Sequence, residues 1–447
     1  MILRARGART GSGLVAASLW LWAGAAAAQE MPAVVIPPPA GGAYKAAVQR
    51  FADVGGGDVE KASRLRAGIQ AGLEFSSLFV VLSPDAYLAG ATSGRLDASP
   101  GVACPDWGQI GADALVDGEL SARGSTVTIE WRAWDVARCQ KLVRKRVTGA
   151  AGDLERLGKR IADEIVGAFT GKAGVSSTEI AFISDRSGKK EVWIADADGG
   201  NARQATRNQS INAFPNWGAD GNTIVYTSYR EAKTPYLFVL TRGAQSPGRI
   251  FRNVPGQIFR GVFDGAGGKL AIVVSRDGES DIYSISRTGS GLTRLTSGKA
   301  LEVSPSFSPD GSEIAFVSDR TGSPQIYVMP ASGGGNRRIT FQGDYNTGAA
   351  WSPDGRWIAY ETRAGGQFDI WLVDPSGETN VPLVTGPGND EGASWSPDGR
   401  KVIFSSNRRG RRDLYVIDLD GSNLRPVTTG GGNNYSPDWG PYPRDLQ

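Results

Sequence analysis

The chain has 447 residues, more than one ordinary hydrophobic core accommodates, so two or more domains are expected. Glycine (61) and proline (24) are abundant, which is typical of short strands joined by tight turns and unlike a helical bundle. The net charge is only +3 and histidine is absent, which excludes a basic nucleic-acid-binding surface, Ser-His-Asp or Cys-His catalysis, and zinc sites built on imidazole.

The first 28 residues have the pattern of a secretory signal peptide. Its parts are a positive start (Arg4, Arg6, Arg9), an apolar stretch (14–25) and small residues at the cleavage site (26–28). The apolar run of about 16 residues is shorter than the roughly 20 that span a bilayer, which favours a cleaved signal over a membrane anchor. We therefore expect export and a mature chain that begins at Gln29. No cysteine follows the cleavage site, so no lipid anchor is expected.

Residues 29–42 predict an extended N-terminal arm. Val34, Val35 and Ile36 are followed by three prolines, which cannot continue a ladder of strand hydrogen bonds. The arm is either a plain linker or a short strand that docks on a partner.

Residues 43–172 predict a small α/β (α+β) domain. Strands are expected at 46–48, 79–82, 114–118, 127–134 and 142–147, and helices at 59–73, from Asp106, and at 154–169. Gly171 is expected to end the last helix as its C-cap. Strands mixed with helices indicate a two-layer sandwich.

The only two cysteines, Cys104 and Cys139, lie in this domain. In an oxidising compartment they favour a disulfide, and the alternative is a pair of separate thiols.

From residue 180 onward the chain repeats itself about every 44 residues. The aromatic residue that opens each unit is Trp217, Phe263, Phe307, Trp351, Trp395 or Trp439. Three of these are followed by Ser-Pro-Asp-Gly, a turn sequence in which proline sets φ and glycine accepts a positive φ. Each unit then continues with further short strands, and four antiparallel strands per unit of this length are typical of a β-propeller blade.

The two ends of the repeat region predict a closed ring. Residues 180–206 supply only the second, third and fourth strands of a blade, and 435–439 supply a first strand at the other end of the chain. Pairing these segments gives an all-β propeller with six blades over 173–447, whereas an open solenoid would leave them unpaired.

The signal peptide, the α/β domain and the six-bladed propeller together resemble the TolB family over residues 29–447. Local matches include the stretch from Asp106-Trp107 to Gly118, the segment 161–171, and the Trp-Ser-Pro-Asp-Gly repeats. The resemblance implies a periplasmic, monomeric and non-enzymatic adaptor of the Tol–Pal system, with no cofactor and no metal. It also implies that the propeller binds the peptidoglycan-associated lipoprotein and that the arm (Gln29, Val34, Val35, Ile36) binds TolA. Such an adaptor supports outer-membrane integrity and constriction during division.

The residues that begin each blade's first strand are the predicted protein-binding site at one mouth of the channel. They are Arg260, Glu302, Ser304, Asn346, Thr347, Asp390, Glu391 and Asn434. They are polar and differ from blade to blade, as a specific surface requires, and the alternative is a merely solvated rim.

Three other interpretations of the sequence remain beside this one. The arginines of the blade loops (Arg186, Arg230, Arg320, Arg363, Arg408) are either an anion site or, as their regular recurrence favours, one structural arginine per blade. Asp196-Ala197-Asp198-Gly199 is favoured as a hairpin turn over a calcium loop, because Gly200 and Arg207 occupy ligand positions. An exported propeller that binds a small ligand, or that accompanies a hydrolase, is the alternative function; the chain lacks the histidine that a hydrolase triad requires.

Overall fold

The computed structural model describes residues 42–443, apart from gaps at 56–58, 88–92, 95, 97–101, 232–233, 245–247, 250, 252–253 and 255. The predicted signal peptide (1–28) and the arm residues Gln29, Val34, Val35 and Ile36 lie outside the described residues. None of the helices in the described part has the length and apolar content needed to span a membrane.

The N-terminal domain is a seven-stranded sheet packed with helices. Its strands are β1 (Tyr44–Val48), β2 (Arg50–Asp53), β3 (Phe79–Val81), β4 (Ser93–Gly94), β5 (Ala114–Arg123), β6 (Thr126–Asp135) and β7 (Gln140–Ala150). Its helices are α1 (Val59–Phe75), α2 (Cys104–Gln109) and α3 (Leu154–Thr170), with 3-10 turns at Pro84–Ala86 and Ala151–Asp153. Strand β5 pairs in parallel with β1 and then β2 along one edge, and in antiparallel fashion with β6 along the other. The helix expected to begin at Asp106 begins two residues earlier, at Cys104.

Helices α1 and α3 cross at two glycines. A Cβ on Gly68 would lie 2.2 Å from the Glu155 carbonyl oxygen, and one on Gly158 would lie 2.5 Å from the Leu65 carbonyl oxygen. A side chain at either position would therefore push the helices apart. Helix α3 ends at Gly171, whose φ of 76° is the left-handed conformation of a C-cap.

Cys104 and Cys139 are joined by a disulfide, with their Cα atoms 5.6 Å apart. The bond ties the start of α2 to the turn between β6 and β7. It therefore closes a loop of the N-terminal domain with a sequence separation of 35 residues.

The rest of the chain is a ring of six four-stranded antiparallel sheets, so the predicted six-bladed propeller is confirmed. Blade 1 is β11 (Asn212–Trp217), β12 (Thr223–Ser228), β13 (Tyr236–Thr241) and β14 (Gly248–Arg249); blade 2 is β15 (Gln257–Phe263), β16 (Lys269–Arg276), β17 (Glu279–Ser286) and β18 (Thr293–Arg294). Blade 3 is β19 (Glu302–Phe307), β20 (Glu313–Ser318), β21 (Gln325–Pro330) and β22 (Arg337–Arg338); blade 4 is β23 (Asn346–Trp351), β24 (Ile358–Ala364), β25 (Gln367–Val373) and β26 (Asn380–Val384). Blade 5 is β27 (Asp390–Trp395), β28 (Lys401–Ser406), β29 (Asp413–Asp418) and β30 (Arg425–Pro426).

Blade 6 combines the two ends of the propeller segment. Its strands are β8 (Glu179–Ser184), β9 (Glu191–Asp196), β10 (Arg203–Gln204) and β31 (Asn434–Trp439). The last strand, β31, pairs antiparallel with β8, from Asn434 opposite Ser184 to Trp439 opposite Ile180. This pairing closes the ring and leaves neither strand as a free inner edge.

The first strand of each blade (β11, β15, β19, β23, β27 and β31) is here called the inner strand, because these six strands line the channel. The end of the propeller at which the inner strands begin is called the open end, and the end at which they finish is called the domain end. The N-terminal domain packs on the domain end: Lys172 Nζ donates to the Asp398 carbonyl oxygen at 2.6 Å, and Lys401 Nζ donates to Ser77 Oγ at 2.9 Å. The hydrogen bonds and ion pairs that join the two domains in the described part of the chain all lie at this end.

Candidate functional site

Bulges in the inner strands shape the channel wall. The pairing of five inner strands with their neighbours shifts register around the third residue, where φ is positive. Glycine takes that position at Gly348 and Gly392, whereas Phe214, Ser304 and Ser436 adopt the same conformation with side chains. A non-glycine residue at positive φ is strained, and such positions concentrate at functional sites. The bulge changes which side chains face the channel.

The channel is a cavity of about 830 Å³, and half of the predicted residues line it. Arg260, Ser304, Thr347 and Glu391 come together there from four different blades. The cavity is also lined by residues that the sequence analysis did not select, among them Phe214, Glu361, Arg412, Tyr435 and Asp438.

The other four predicted residues do not form an exposed rim, which corrects the sequence prediction. Glu302, Asn346, Asp390 and Asn434 are each no more than 1% exposed. Each is the first residue of its inner strand, and none of the four lines the channel cavity. Buried polar groups need internal partners, and each of these four has at least one, although Glu302 Oε2 and Asn346 Oδ1 have none among the described residues.

The loop arginines supply some of those partners. Arg320 donates to Glu302 Oε1 at 2.9 Å, Arg408 donates to Asp390 at 2.9 Å, and Arg186 donates to Asn434 Oδ1 at 2.9 Å. Each of these guanidinium groups also bonds the serine two residues before it. These three arginines are therefore structural, as their recurrence favours. Arg363 differs, since it lies 3.8 Å from the exposed carboxylate of Asp344.

A second set of side-chain hydrogen bonds joins neighbouring blades. In blades 3 and 4, Thr340 Oγ1 and Asn346 Nδ2 both donate to Gln325 Oε1, at 2.9 and 2.8 Å. Between blades 6 and 1, Thr206 Oγ1 and Asn212 Nδ2 both donate to Glu191 Oε2 in the same way, at 2.6 and 2.9 Å. These threonines and the polar residue that starts the next inner strand are thus parts of the fold.

The channel holds acidic groups in an environment that disfavours their charge. Burial raises the pKa of Glu361 to about 7, with a further increase from Glu391, although Gly392 N donates to its Oε1 at 2.7 Å. Burial likewise raises the pKa of Asp438 to about 6, against its hydrogen bonds from Trp217 N and Asn216. The positive charge of Arg260 favours the ionised form of both carboxyl groups. The negative charge of the channel therefore decreases as pH falls through the 7–6 range.

Cations and aromatic rings meet near the open end. The Arg260 guanidinium lies 5.4 Å from the centre of the Phe214 ring, and Phe214 is 39% exposed. Tyr435 has Lys190 Nζ at 4.4 Å and the Arg412 guanidinium at 5.8 Å from its ring centre, while Arg412 also pairs with Glu391. Aromatic and arginine side chains of this kind are the residues that dominate protein–protein interfaces.

The arrangement does not assemble a metal centre in the part of the chain that the structure describes. No group of three or more potential ligands is placed to hold a metal ion there. The segment that resembles a calcium loop is a turn in which Gly199 N donates to the Asp196 carbonyl oxygen at 2.8 Å. The carboxylates of Asp196 and Asp198 are both paired with Lys159 of α3.

Comparison with known proteins identifies the family. A model described as the TolB beta propeller domain matches residues 166–443, and one described as the TolB amino-terminal domain matches residues 32–142. The chain is 37% identical over 285 residues to the Tol-Pal system protein TolB of Anaeromyxobacter dehalogenans, covering 63% of this chain and 64% of that protein. It is 34% identical over 238 residues to the Tol-Pal system protein TolB of Desulfosudis oleivorans, covering 50% of each. The matched stretches thus span from half to just under two thirds of these relatives.

A solved structure shares the whole architecture. The crystal structure of TolB from Acinetobacter baumannii has a TM-score of 0.76 at 23% identity, covering 90% of this chain and 97% of that one. At this identity the likeness concerns the fold alone. Because the propeller model matches more than half of the chain, and the amino-terminal model matches much of the remainder, the chain belongs to the TolB family.

Proposed function

We propose that this chain is a non-enzymatic periplasmic adaptor of the Tol–Pal system. In this role the propeller binds the peptidoglycan-associated lipoprotein and the arm, with Gln29, Val34, Val35 and Ile36, binds TolA. The adaptor would thereby support outer-membrane integrity and constriction during division. The proposal is supported by the family, by relatives named as Tol-Pal system proteins, and by the signal-peptide pattern of residues 1–28.

The observation that carries the proposal is the central channel, which the inner strands line. Four residues of distinct chemistry, Arg260, Ser304, Thr347 and Glu391, line one cavity from four blades. The side chains that hold the blades together repeat around the ring, whereas these do not. A surface that differs from blade to blade can fix a partner in one orientation, which a symmetric ring cannot do.

The chemistry of the channel suits a folded or extended protein segment. Arginine and aromatic side chains give contact area together with hydrogen-bond donors, and the acidic Glu361 and Asp438 add acceptors deeper in the channel. A cavity of about 830 Å³ accommodates several side chains of a partner. This supports docking by insertion of a segment rather than by contact across a flat face.

The test is a double variant, Arg260→Ala with Glu391→Ala, in the mature chain. We expect binding to the lipoprotein to weaken at least tenfold, about 1.4 kcal/mol, with the melting temperature intact. Glu302 is left in place because its buried carboxylate holds Arg320, so its loss would disturb the fold. The matched control is Glu313→Ala with Arg337→Ala, which removes the same two residue types from an exposed ion pair outside the channel.

The two partner sites are separable. Deletion of residues 29–39 should abolish TolA binding and leave lipoprotein binding and the melting temperature unchanged. Unchanged lipoprotein affinity in the channel variant would move that site elsewhere, and TolA binding without the arm would exclude the arm as its site.

A further inference from the structure

Glu179 joins three separate parts of the molecule at the domain end. It is the first residue of β8 and is 6% exposed. Its Oε1 accepts from Arg156 of α3 at 2.6 Å and from Arg203 of blade 6 at 2.8 Å, and its Oε2 accepts from Arg242, which follows β13 of blade 1, at 2.5 Å. One carboxylate thus connects the N-terminal domain with the first and last blades of the ring.

The charges around Glu179 do not balance. Among the residues that the structure describes, three guanidinium groups bond this one carboxylate, which leaves an excess of two positive charges. The arginine side chains are 43–45% exposed, so the excess charge lies beside solvent. Despite its burial, the pKa of Glu179 is lowered by hydrogen bonding from Arg242 and by the charges of all three arginines.

A second acid in this region, Asp220, is already engaged by other donors. Its Oδ2 accepts from Arg287 at 2.6 Å and its Oδ1 from the backbone of Asn222 and Thr223. These bonds hold the pKa of Asp220 at about 2 in spite of partial burial, so it remains a carboxylate paired with Arg287.

A pocket of about 380 Å³ opens beside the unbalanced arginines. Arg156 and Arg242 line it from opposite domains, together with Thr178, Asn222 and Tyr442. The carboxylates of Glu179 and Asp220 line it as well, and each is already bonded to arginine. Each arginine uses one terminal nitrogen on Glu179, which leaves further donors of both guanidinium forks for another acceptor. Trp217 also lines the pocket, and its buried indole N–H has no acceptor among the residues that the structure describes.

We propose that this pocket is a binding site for a compact oxyanion, a carboxylate or a phosphate group, held between Arg156 and Arg242. Guanidinium groups match the paired oxygens of both anions, and the excess of positive charge supplies the attraction. A bound oxyanion would bridge α3 and blade 1 and strengthen the contact between the two domains. The site lies at the domain end, where Trp217, Gly440 and Pro441 line both this pocket and the channel cavity. The proposal does not depend on the function proposed above.

The experiment measures binding of inorganic phosphate to the mature chain. Calorimetry and thermal melting are run with sodium phosphate and, in parallel, with sodium citrate, each against sodium chloride at equal ionic strength. We expect phosphate or citrate to raise the melting temperature beyond the chloride control, and the stronger of the two identifies which oxyanion the pocket prefers. A melting temperature that follows ionic strength alone, with no difference from chloride, would overturn the proposal.

Variants locate the binding. Arg156→Gln with Arg242→Gln should weaken oxyanion binding at least tenfold, whereas Arg337→Gln, an arginine of the same 43% exposure paired with Glu313, should leave it unchanged. If the double variant does not fold, the variant Arg156→Lys with Arg242→Lys is used instead. It keeps both positive charges but removes the planar guanidinium groups, and it should weaken oxyanion binding severalfold. An unchanged affinity in whichever variant folds, or an equal loss with Arg337→Gln, would refute the site.

Discussion

Replacing Glu361 by glutamine should stabilise the protein at alkaline pH and much less at acidic pH. The glutamate is the residue of β24 whose Oε1 accepts from Gly392 N, and the amide oxygen of glutamine can accept the same bond. The variant therefore removes a charge and keeps the shape. Burial makes that charge unfavourable, since it raises the pKa of Glu361 from 4.5 to about 7.

The sign and size of this change in the free energy of unfolding follow from proton linkage. Between pH 4.5 and 7 the folded chain binds more protons at Glu361 than the unfolded chain does, so stability falls as pH rises through this window. Above pH 7 the full cost of the buried charge is present, and below pH 4.5 it vanishes. The shift sets a ceiling of about 3 kcal/mol, and we expect about 1–2 kcal/mol because the side chain borders an open channel.

The assay is the free energy of unfolding in urea, measured for both chains at pH 5 and pH 8. We expect Glu361→Gln to be more stable by about 1–2 kcal/mol at pH 8, with a melting temperature higher by roughly 2–8 °C, and by about a quarter of that at pH 5. Glu361→Ala should gain less, because it leaves Gly392 N without its acceptor. A stabilisation equal at both pH values, or a loss at pH 8, would refute a buried charge at this site.

Two further predictions concern the fold. Arg408→Ala should lower the free energy of unfolding in urea by about 3–5 kcal/mol, because it leaves the fully buried carboxylate of Asp390 without its ion-pair partner. Arg356→Ala, the control, breaks the exposed pair with Asp354 and should lower it by less than about 1 kcal/mol. Equal losses in the two variants would contradict the explanation by a buried ion pair. Reducing the Cys104–Cys139 disulfide should lower the free energy of unfolding of the N-terminal domain by about 3–4 kcal/mol, because the bond closes a loop with a separation of 35 residues. A melting temperature that does not change when a reductant is added would contradict this.

The fold was predictable because its signals repeat. The aromatic residue and turn that recur every 44 residues establish the blade, and the strands missing from one end of the repeat and present at the other indicate closure. Strand β2 (Arg50–Asp53) was not predicted, because this short strand carries no alternation of its own and gains its place by pairing with β4 and β5. Tertiary pairing, not local propensity, explains that strand.

The candidate site was predictable only in part, for a reason of geometry. A sequence alignment assigns residues to the start of an inner strand but does not tell which of them face the channel. The positive-φ bulge at the third residue separates the buried first position, such as Glu302, from the channel-facing third position, such as Ser304. Glu361 was missed because it lies on a second strand; its signal is a charge where the aligned strands have Val317 and Ser405.

The role of a residue in an inner strand therefore depends on its position along the strand. Except in β15, whose first residue Gln257 is exposed, the first residue of the strand is buried and bonded by an arginine or by the preceding blade, as Asp390 is by Arg408. Its fifth residue bonds the next blade where it is polar: Asn216 Oδ1 accepts from Phe263 N at 2.9 Å. Between these two positions lie the residues that line the channel, among them Ser304, Thr347 and Glu391. We expect substitution of such channel-lining side chains to change what the channel binds more than it changes the stability of the ring, so that a propeller of repeated blades can carry a surface that does not repeat.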